Sequence, residues 1–323
     1  MLKESNYIYE VYRCRSFSKA AEHLFISQPS LSAMVKRVEK EIGMPLFDRS
    51  CNPIQLTDAG RFYISHVEKI RQIQTEMEDY FQSLADGETG TLKIGSSSFY
   101  CEYSLPILLR AFRQKYPDIE IDLQETTTNQ DLYRLLKTGE LDLVLTSNHN
   151  GLEEMKSAFF RKEYLILAVP GSYAVNSELK DAALSFHDIL LGKHRRKDCP
   201  AVSLKKFKDY PLVSLREGSD LYERSQVLFR HAGVKPKNVS YLDQMPTAYY
   251  LVYYGYGYSI IRDTTVHVVR QPVEGATDIA FYKIDDPMTI RDVCFYYRNS
   301  EYLPATMQTF LKYVGEIASA GAY

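Results

Sequence analysis

The chain has 323 residues, 45% of them hydrophobic and 25% charged, and carries a formal net charge of −2 at pH 7. That is ordinary globular material for roughly two domains or more, and the near-neutral balance confines any basic surface to a local patch offset elsewhere. No apolar run approaches the ~20 residues needed to span a bilayer, and the start M-L-K-E-S-N-Y has no signal-peptide core, so the expected location is the cytoplasm.

Within 2–15, Tyr7, Ile8, Val11 and Tyr12 recur at helical spacing, predicting a helix packed beneath the segment 16–60. Residues 16–60 read as a helix-turn-helix with a wing. Ser18 is placed to cap a short helix whose buried face holds Ala20, Ala21 and Leu24, small enough for a second helix to cross closely. Ser27 is the expected N-cap of that second helix, Pro29 sits in its first turn, and Leu31, Val35, Val38 and Ile42 form one apolar stripe ended by Gly43. Two such helices, the second exposing Gln28, Ser30, Ser32, Lys36 and Arg37, are the unit that lays a recognition helix into the DNA major groove. Pro45 and Pro53 then punctuate Leu46, Phe47, Ile54 and Leu56, the pattern of two short strands and a turn. Glutamine pairs bidentately with adenine, serine is a sequence-tolerant partner, and Lys36, Arg37 and Arg49 suit phosphate. An isolated Lys-Arg pair would read only as a solvated helix face.

The pieces S-F-S-K-A-A-E-H-L at 16–24, S-Q-P-S-L-S at 27–32, E-K-E-I-G at 39–43, P-L-F-D-R at 45–49 and L-T-D-A-G at 56–60 resemble the N-terminal domain of LysR-type transcriptional regulators. By that resemblance Gln28, Pro29, Ser30, Ser32, Lys36 and Arg37 lie in or beside the major groove, and Arg49 holds phosphate at the wing. Two departures stand out: Ala33 occupies a position where many members carry arginine, and the wing tip S-C-N-P lacks the basic residues members often place there.

From 58 to 84 nothing breaks a helix, and Tyr63, Val67, Ile70, Gln74, Met77, Phe81 and Leu84 alternate spacings of four and three, a coiled-coil seam with Gln74 as its one polar position. The other reading is a helix packed on its own domain. Self-association suits a reader of paired half-sites. A-D-G-E-T-G at 85–90 reads as a hinge. The expected division is a winged helix-turn-helix at 1–60, a linker and dimerisation helix with its hinge at 58–89, and a regulatory domain at 90–323.

Beyond the hinge, strands at 91–95, 119–126 and 141–146 alternate with helices at 105–117 and 129–139, a βαβαβ unit with a parallel sheet. Ligands of such sheets bind outside the carboxyl ends of the strands. Those ends carry Ser96, Ser97 and Ser98, then Thr126, Thr127 and Thr128, then Thr146 and Ser147. Each tip alone is an ordinary helix cap; jointly they suit a small anion or polar metabolite. A second unit runs through 164–170, 210–215 and 253–263. The chain is expected to return to the first unit with 280–284 and 293–297 and to end in a helix at 305–318.

This half, most specifically at G-Y-G-Y-S-I-I, resembles the effector domain of LysR-type regulators, which is similar in fold to periplasmic solute-binding proteins. The resemblance implies an α/β domain of two lobes, about 90–166 with 271–323 and about 167–270, with an inducer between them. Carried over by position, Ser97, Ser98, Thr126, Thr128 and Thr146 would line that site from the first lobe, with Arg216 and the 243–247 segment from the second. Arg216 is suited to bidentate pairing with a carboxylate, and equally to a plain surface role. The segment 180–208 is longer than usual for the family and reads as a solvated loop. Within it Cys199 follows the basic run His194, Arg195, Arg196 and Lys197, a setting that can depress a thiol pKa, although no resolving cysteine lies nearby in sequence. The five cysteines are odd in number and form no C-x-x-C pair, against a disulfide framework or zinc ribbon.

No G-x-S-x-G elbow, P-loop, H-E-x-x-H or helix-opening G-x-G-x-x-G is present, and His187 and His194 lack further ligands. No enzyme activity, cofactor or metal is expected. The sequence therefore reads as a LysR-type, ligand-responsive regulator. Its partners would be double-stranded DNA, a small polar effector and further copies of itself, as a homodimer through the long helix and a homotetramer, with no membrane. The rival is a cytosolic small-molecule binding protein whose helical N-terminus serves dimerisation only.

Overall fold

Ser16, not Ser18, starts the first helix of the helix-turn-helix: its side chain accepts from the Lys19 backbone N–H, leaving Ser18 exposed on the helix. The computed structural model describes residues 4–83, 89–126, 128–269, 279–300 and 302–320 and divides into two units, one built chiefly from Met1–Leu84 and one from Ala85–Leu136 and Glu140–Tyr323.

The first unit runs α1 (Ser5–Cys14), α2 (Phe17–His23), α3 (Gln28–Ile42), β1 (Phe47–Asp48), β2 (Gln55–Leu56) and α4 (Asp58–Ser83). Ser27 caps α3 by accepting from the Ser30 N–H, and Gly43 ends it with φ 77°. Ile8, Tyr9 and Val11 of α1, Ala20 and Ala21 of α2, and Leu31, Val35 and Val38 of α3 form one buried cluster with Leu46, Phe47, Ile64 and Val67. β1 and β2 pair antiparallel as the wing. Glu39 anchors it by accepting from the backbone N–H groups of Leu46 and Phe47 at 2.8 and 3.3 Å. Gly60 permits the close approach of α4: a Cβ there would lie 2.0 Å from the Leu46 carbonyl oxygen.

The seam on α4 divides in two. Val67 is buried and Tyr63 partly buried in the unit's own core, so this half faces inward. Farther along, Met77 is 56% and Phe81 63% exposed, with Ile73 at 57% beside them. Leu84 and most of the expected hinge at 85–90 lie outside the described residues.

The second unit continues with β3 (Gly90–Ser97), α5 (Ser98–Tyr103), α6 (Leu105–Lys115), β4 (Ile119–Thr126), α7 (Asn129–Lys137), β5 (Leu143–Thr146) and β6 (Lys156–Pro170). α8 (Val175–Glu178), α9 (Phe186–Leu190), β7 (Ala201–Val202), β8 (Leu212–Leu215), α10 (Asp220–His231), β9 (Val239–Leu242) and α11 (Met245–Tyr253) come next. The chain closes with β10 (Ser259–Arg262), β11 (Ile279–Ile284), β12 (Ile290–Tyr297) and α12 (Ala305–Ala320). β3 pairs parallel with both β4 and β5, the expected βαβαβ arrangement. The large sheet runs β4-β3-β5-β12-β6-β11-β7, with β10 also on β6.

β6 spans both halves of this sheet. Its first part, from Lys156 to Tyr164, pairs with β12, and its second, from Leu165 to Pro170, lies between β10 and β11. β11 is therefore not part of the return to the first lobe: it pairs with the second half of β6 and with β7, and the return is made by β12. The apolar run A-F-Y-K-I suits either half of one continuous sheet, so only long-range pairing decides. Gly257 lets β10 reach β8, since a Cβ would sit 2.7 Å from the Pro211 carbonyl oxygen.

The segment 180–208 is not a solvated loop. It holds α9, two one-turn 3-10 helices and β7, and buries Ile189, His194, Val202, Leu204 and Phe207. Its basic run conceals these apolar anchors at irregular spacing. His194 Nε2 lies 3.0 Å from the buried carboxylate of Asp263, and Arg195 donates to the same oxygen at 2.9 Å. Burial pushes the Cys199 thiol up, opposing any activation by the neighbouring cations. Among the described residues, no helix is long and apolar enough to cross a membrane.

Candidate nucleic-acid interface and ligand cavity

α3 presents its polar residues because its apolar stripe is spent on the core. Gln28, Pro29, Ser30, Lys36 and Arg37 are exposed and Ser32 is half-buried. The tight turn before it passes through Phe25 at φ 54°, with the ring 96% exposed. Arg49 spans helix and wing. Its guanidinium donates to the Ser32 hydroxyl at 3.3 Å and to Glu39 at 3.1 Å, and lies over the Phe17 ring at 4.8 Å. It thereby fixes the wing against α3 while staying at the surface. Arg37, expected in or beside the groove and suited to phosphate, donates from its guanidinium to Glu4 of α1 at 2.6 Å and is 59% exposed. A surface pair of this kind contributes only ~0–1 kcal/mol, so phosphate can compete for it.

In the second unit, a cavity of about 320 Å³ brings together Ser97, Ser98, Thr126 and Thr128 with Arg216, Ser219, the 243–245 segment and Arg262. The N-termini of α7, α10 and α11 open on it through Asn129, Asp220 and Met245. Thr128 accepts from the Asp131 N–H at 3.1 Å and Ser219 from the Tyr222 N–H at 3.1 Å, so these hydroxyls are helix caps and cavity wall at once. Ser98 donates to Glu125. Thr127 lies outside the described residues. Arg216 is on the wall but already paired, its Nε 3.1 Å from Asp243, with both side chains largely exposed.

Thr146 does not line the cavity. It is buried, and its hydroxyl accepts from the Asn148 N–H at 3.0 Å. Ser147, the next residue, is buried as well and also lies off the cavity lining, its hydroxyl donating to Asp220 at 2.9 Å.

The N-terminal helix-turn-helix matches the bacterial regulatory helix-turn-helix protein, lysR family, over residues 2–61, and the LysR substrate binding domain matches residues 85–319. The chain belongs to the LysR family. Among its relatives, an uncharacterized HTH-type transcriptional regulator, YcgK of Bacillus subtilis, is 28% identical over 316 residues, 96% of this chain and 93% of the relative. A probable RuBisCO transcriptional regulator of Nostoc is 36% identical over 130 residues, 40% of this chain and 38% of the relative. Full-length CbnR, solved in complex with its target DNA, shares the fold at a TM-score of 0.57 and 23% identity, covering 98% of this chain and 99% of that one. This chain is a LysR-family DNA-binding transcriptional regulator with an effector-binding domain, so the rival without a DNA role is set aside.

From the cavity wall of this LysR-family regulator, at Asp220 and Arg262, a charge cluster that sequence reasoning missed runs into the core. Glu163 of β6 is fully buried and accepts from Arg291 Nε at 2.7 Å and from the Tyr100 hydroxyl at 3.2 Å. Asp220, at the start of α10, accepts from Arg262 and Arg291, both at 2.7 Å. The guanidinium of Arg262 also lies 4.4 Å over the Phe99 ring. Burial alone would raise the Asp220 carboxyl, but the charges of Arg291 and Arg262 and the hydrogen bonds from Ser147 and Arg291 hold it well below the usual carboxylate range. Burial and the Glu163 charge push Tyr100 up to about 12, so it stays a neutral donor. Glu163, Arg262 and Arg291 stand beside other charges in R-K-E-Y, I-I-R-D and I-R-D-V, so the only sequence signal is a charged residue at or near the end of an apolar strand segment. It marks such residues without naming their partners.

Proposed function

We propose that this regulator is a homodimer, further paired into tetramers, that reads inverted half-sites with α3 and answers to a small polar anion held in the cavity. In this reading Gln28, Pro29, Ser30 and Ser32 face base edges, while Lys36, Arg37 and Arg49 serve phosphate. Ser97, Ser98, Thr126, Thr128 and Arg216 hold the effector. The division of labour is 1–60 for DNA, 58–89 for pairing and 90–323 for the effector, with the strand at 279–284 belonging to the second lobe. The protein acts in the cytoplasm and is not an enzyme.

The observation that carries the effector reading is the opening of three helix N-termini onto one cavity together with an arginine. Unpaired backbone N–H groups and helix dipoles at such ends favour negative charge. An anion bound to both walls would stabilise one lobe arrangement over another, and differential affinity of that kind shifts the populations that DNA meets. The test is a thermal-shift screen of organic and inorganic anions on the full chain, then gel shifts on its own promoter region with and without each hit. A hit should raise the unfolding midpoint by mass action and alter the DNA complex. Neutral hits only, or hits without effect on the DNA complex, would overturn the effector reading. Equal affinity for promoter and random DNA would overturn the DNA assignment.

A further inference from the structure

We propose that Glu10, Cys14 and His23 form a zinc site joining the first two helices of the DNA-binding unit. Glu10 and Cys14 lie one turn apart on α1, and His23 is the last residue of α2. Their donor atoms converge: Cys14 Sγ is 3.3 Å from Glu10 Oε1, His23 Nδ1 is 3.0 Å from the same oxygen, and Sγ and Nδ1 are 3.7 Å apart. Tetrahedral zinc, with bonds of about 2.3 Å to sulfur and about 2.0–2.2 Å to nitrogen and oxygen, has ligand–ligand edges of roughly 3.3–3.6 Å. The three atoms therefore already outline one face of a coordination tetrahedron. His23 is half-exposed, so water completes the fourth position.

Hydrogen bonding among these groups is over-subscribed in a way that a cation relieves. Glu10 Oε1 is approached by Arg13 Nε and Nη2 at 3.2 and 2.7 Å as well as by Cys14 and His23, four contacts on one oxygen with two lone pairs. His23 Nδ1 lies 3.0 Å both from Arg13 Nη2, which only donates, and from Glu10 Oε1, which as a carboxylate oxygen only accepts. No single tautomer satisfies both. A metal ion takes one lone pair from each ligand, displaces the Arg13 guanidinium and releases the Cys14 thiol proton to water. Thiolate and imidazole select zinc over magnesium or calcium. The spacing 10, 14, 23 matches no familiar sequence motif, because two helices and the bend at Arg15–Ser16 bring the ligands together.

Co²⁺ titration into chelator-treated, reduced full-length protein tests the site. One ion per chain with thiolate-to-cobalt charge-transfer absorption is expected, displaced by Zn²⁺. Cys14→Ser should abolish the band and His23→Gln should weaken binding at least tenfold. Arg13→Gln, which keeps all three ligands and removes the competing cation, should tighten binding several-fold. Zn²⁺ should also raise the unfolding midpoint of wild type and not of Cys14→Ser. An unchanged band in Cys14→Ser, unaltered affinity in Arg13→Gln, or no binding at all would overturn the assignment.

Discussion

The guanidinium of Arg291 on β12 meets the carboxylate of Asp220, in the first turn of α10, at 2.7 Å. Arg291 also holds Glu163 on β6, so one buried side chain ties the long shared strand to the helix that forms the cavity floor. Both residues of the pair are largely shielded, at 2% and 15% side-chain exposure, which makes the pair costly to break from one side.

Asp220→Asn should therefore destabilise the protein by about 3 kcal/mol, read as a lower urea midpoint at unchanged slope. It leaves Arg262 and Arg291 sharing Glu163. The pH dependence has a definite sign. Because the folded pKa of Asp220 lies below the ordinary aspartate value of 3.8, its contribution is fully present above that value and is lost as pH falls below it. Wild type should lose stability below about pH 4, with a smaller loss in the variant in thermal melts across about pH 3–7.

On α3, Gln28 and Lys36 should fail differently. Gln28→Ala should cut the preference for cognate over unrelated DNA by about 1–3 kcal/mol, because it removes a base-edge contact. Lys36→Ala should weaken both DNAs about equally and lower the salt slope by about one. Fluorescence anisotropy at several salt concentrations separates the two; identical behaviour would refute these roles.

The two halves of α4 should also separate. Met77→Glu with Phe81→Glu places charge on exposed apolar positions and should shift sedimentation toward monomer with the melting midpoint of the first unit retained. Val67→Ala, inside the core, should cost about 2 kcal/mol and leave the oligomer intact.

At the cavity wall, Asp243 occupies the arginine that an anion would need. Asp243→Ala should tighten an anionic hit of the screen, and Arg216→Ala should weaken it, both by calorimetric titration. The opposite ordering would place the effector's charge elsewhere, on the helix N-termini alone.

How much was legible depends on how local the information is. Ser27, Pro29, Gly43 and the stripe Leu31, Val35, Val38 act within one helix, so spacing and capping alone determined α3 and its exposed residues. Hydroxyls at strand ends were legible for the same reason, since strand period and helix caps fall within a few residues. Beyond that range the sequence was silent. Val67 and Met77 share one periodic seam, yet one meets its own domain and the other does not, because the wing and α1 cover only the start of α4. The 180–208 segment looked solvated because its charges are contiguous while its buried anchors are not. Tertiary structure decided that β11 joins the second half of β6, that Thr146 is buried off the cavity lining, and that Glu163, Asp220, Arg262 and Arg291 meet. Each is a pairing between distant residues, set by which surfaces the folded chain brings into contact, and no local pattern encodes the partner.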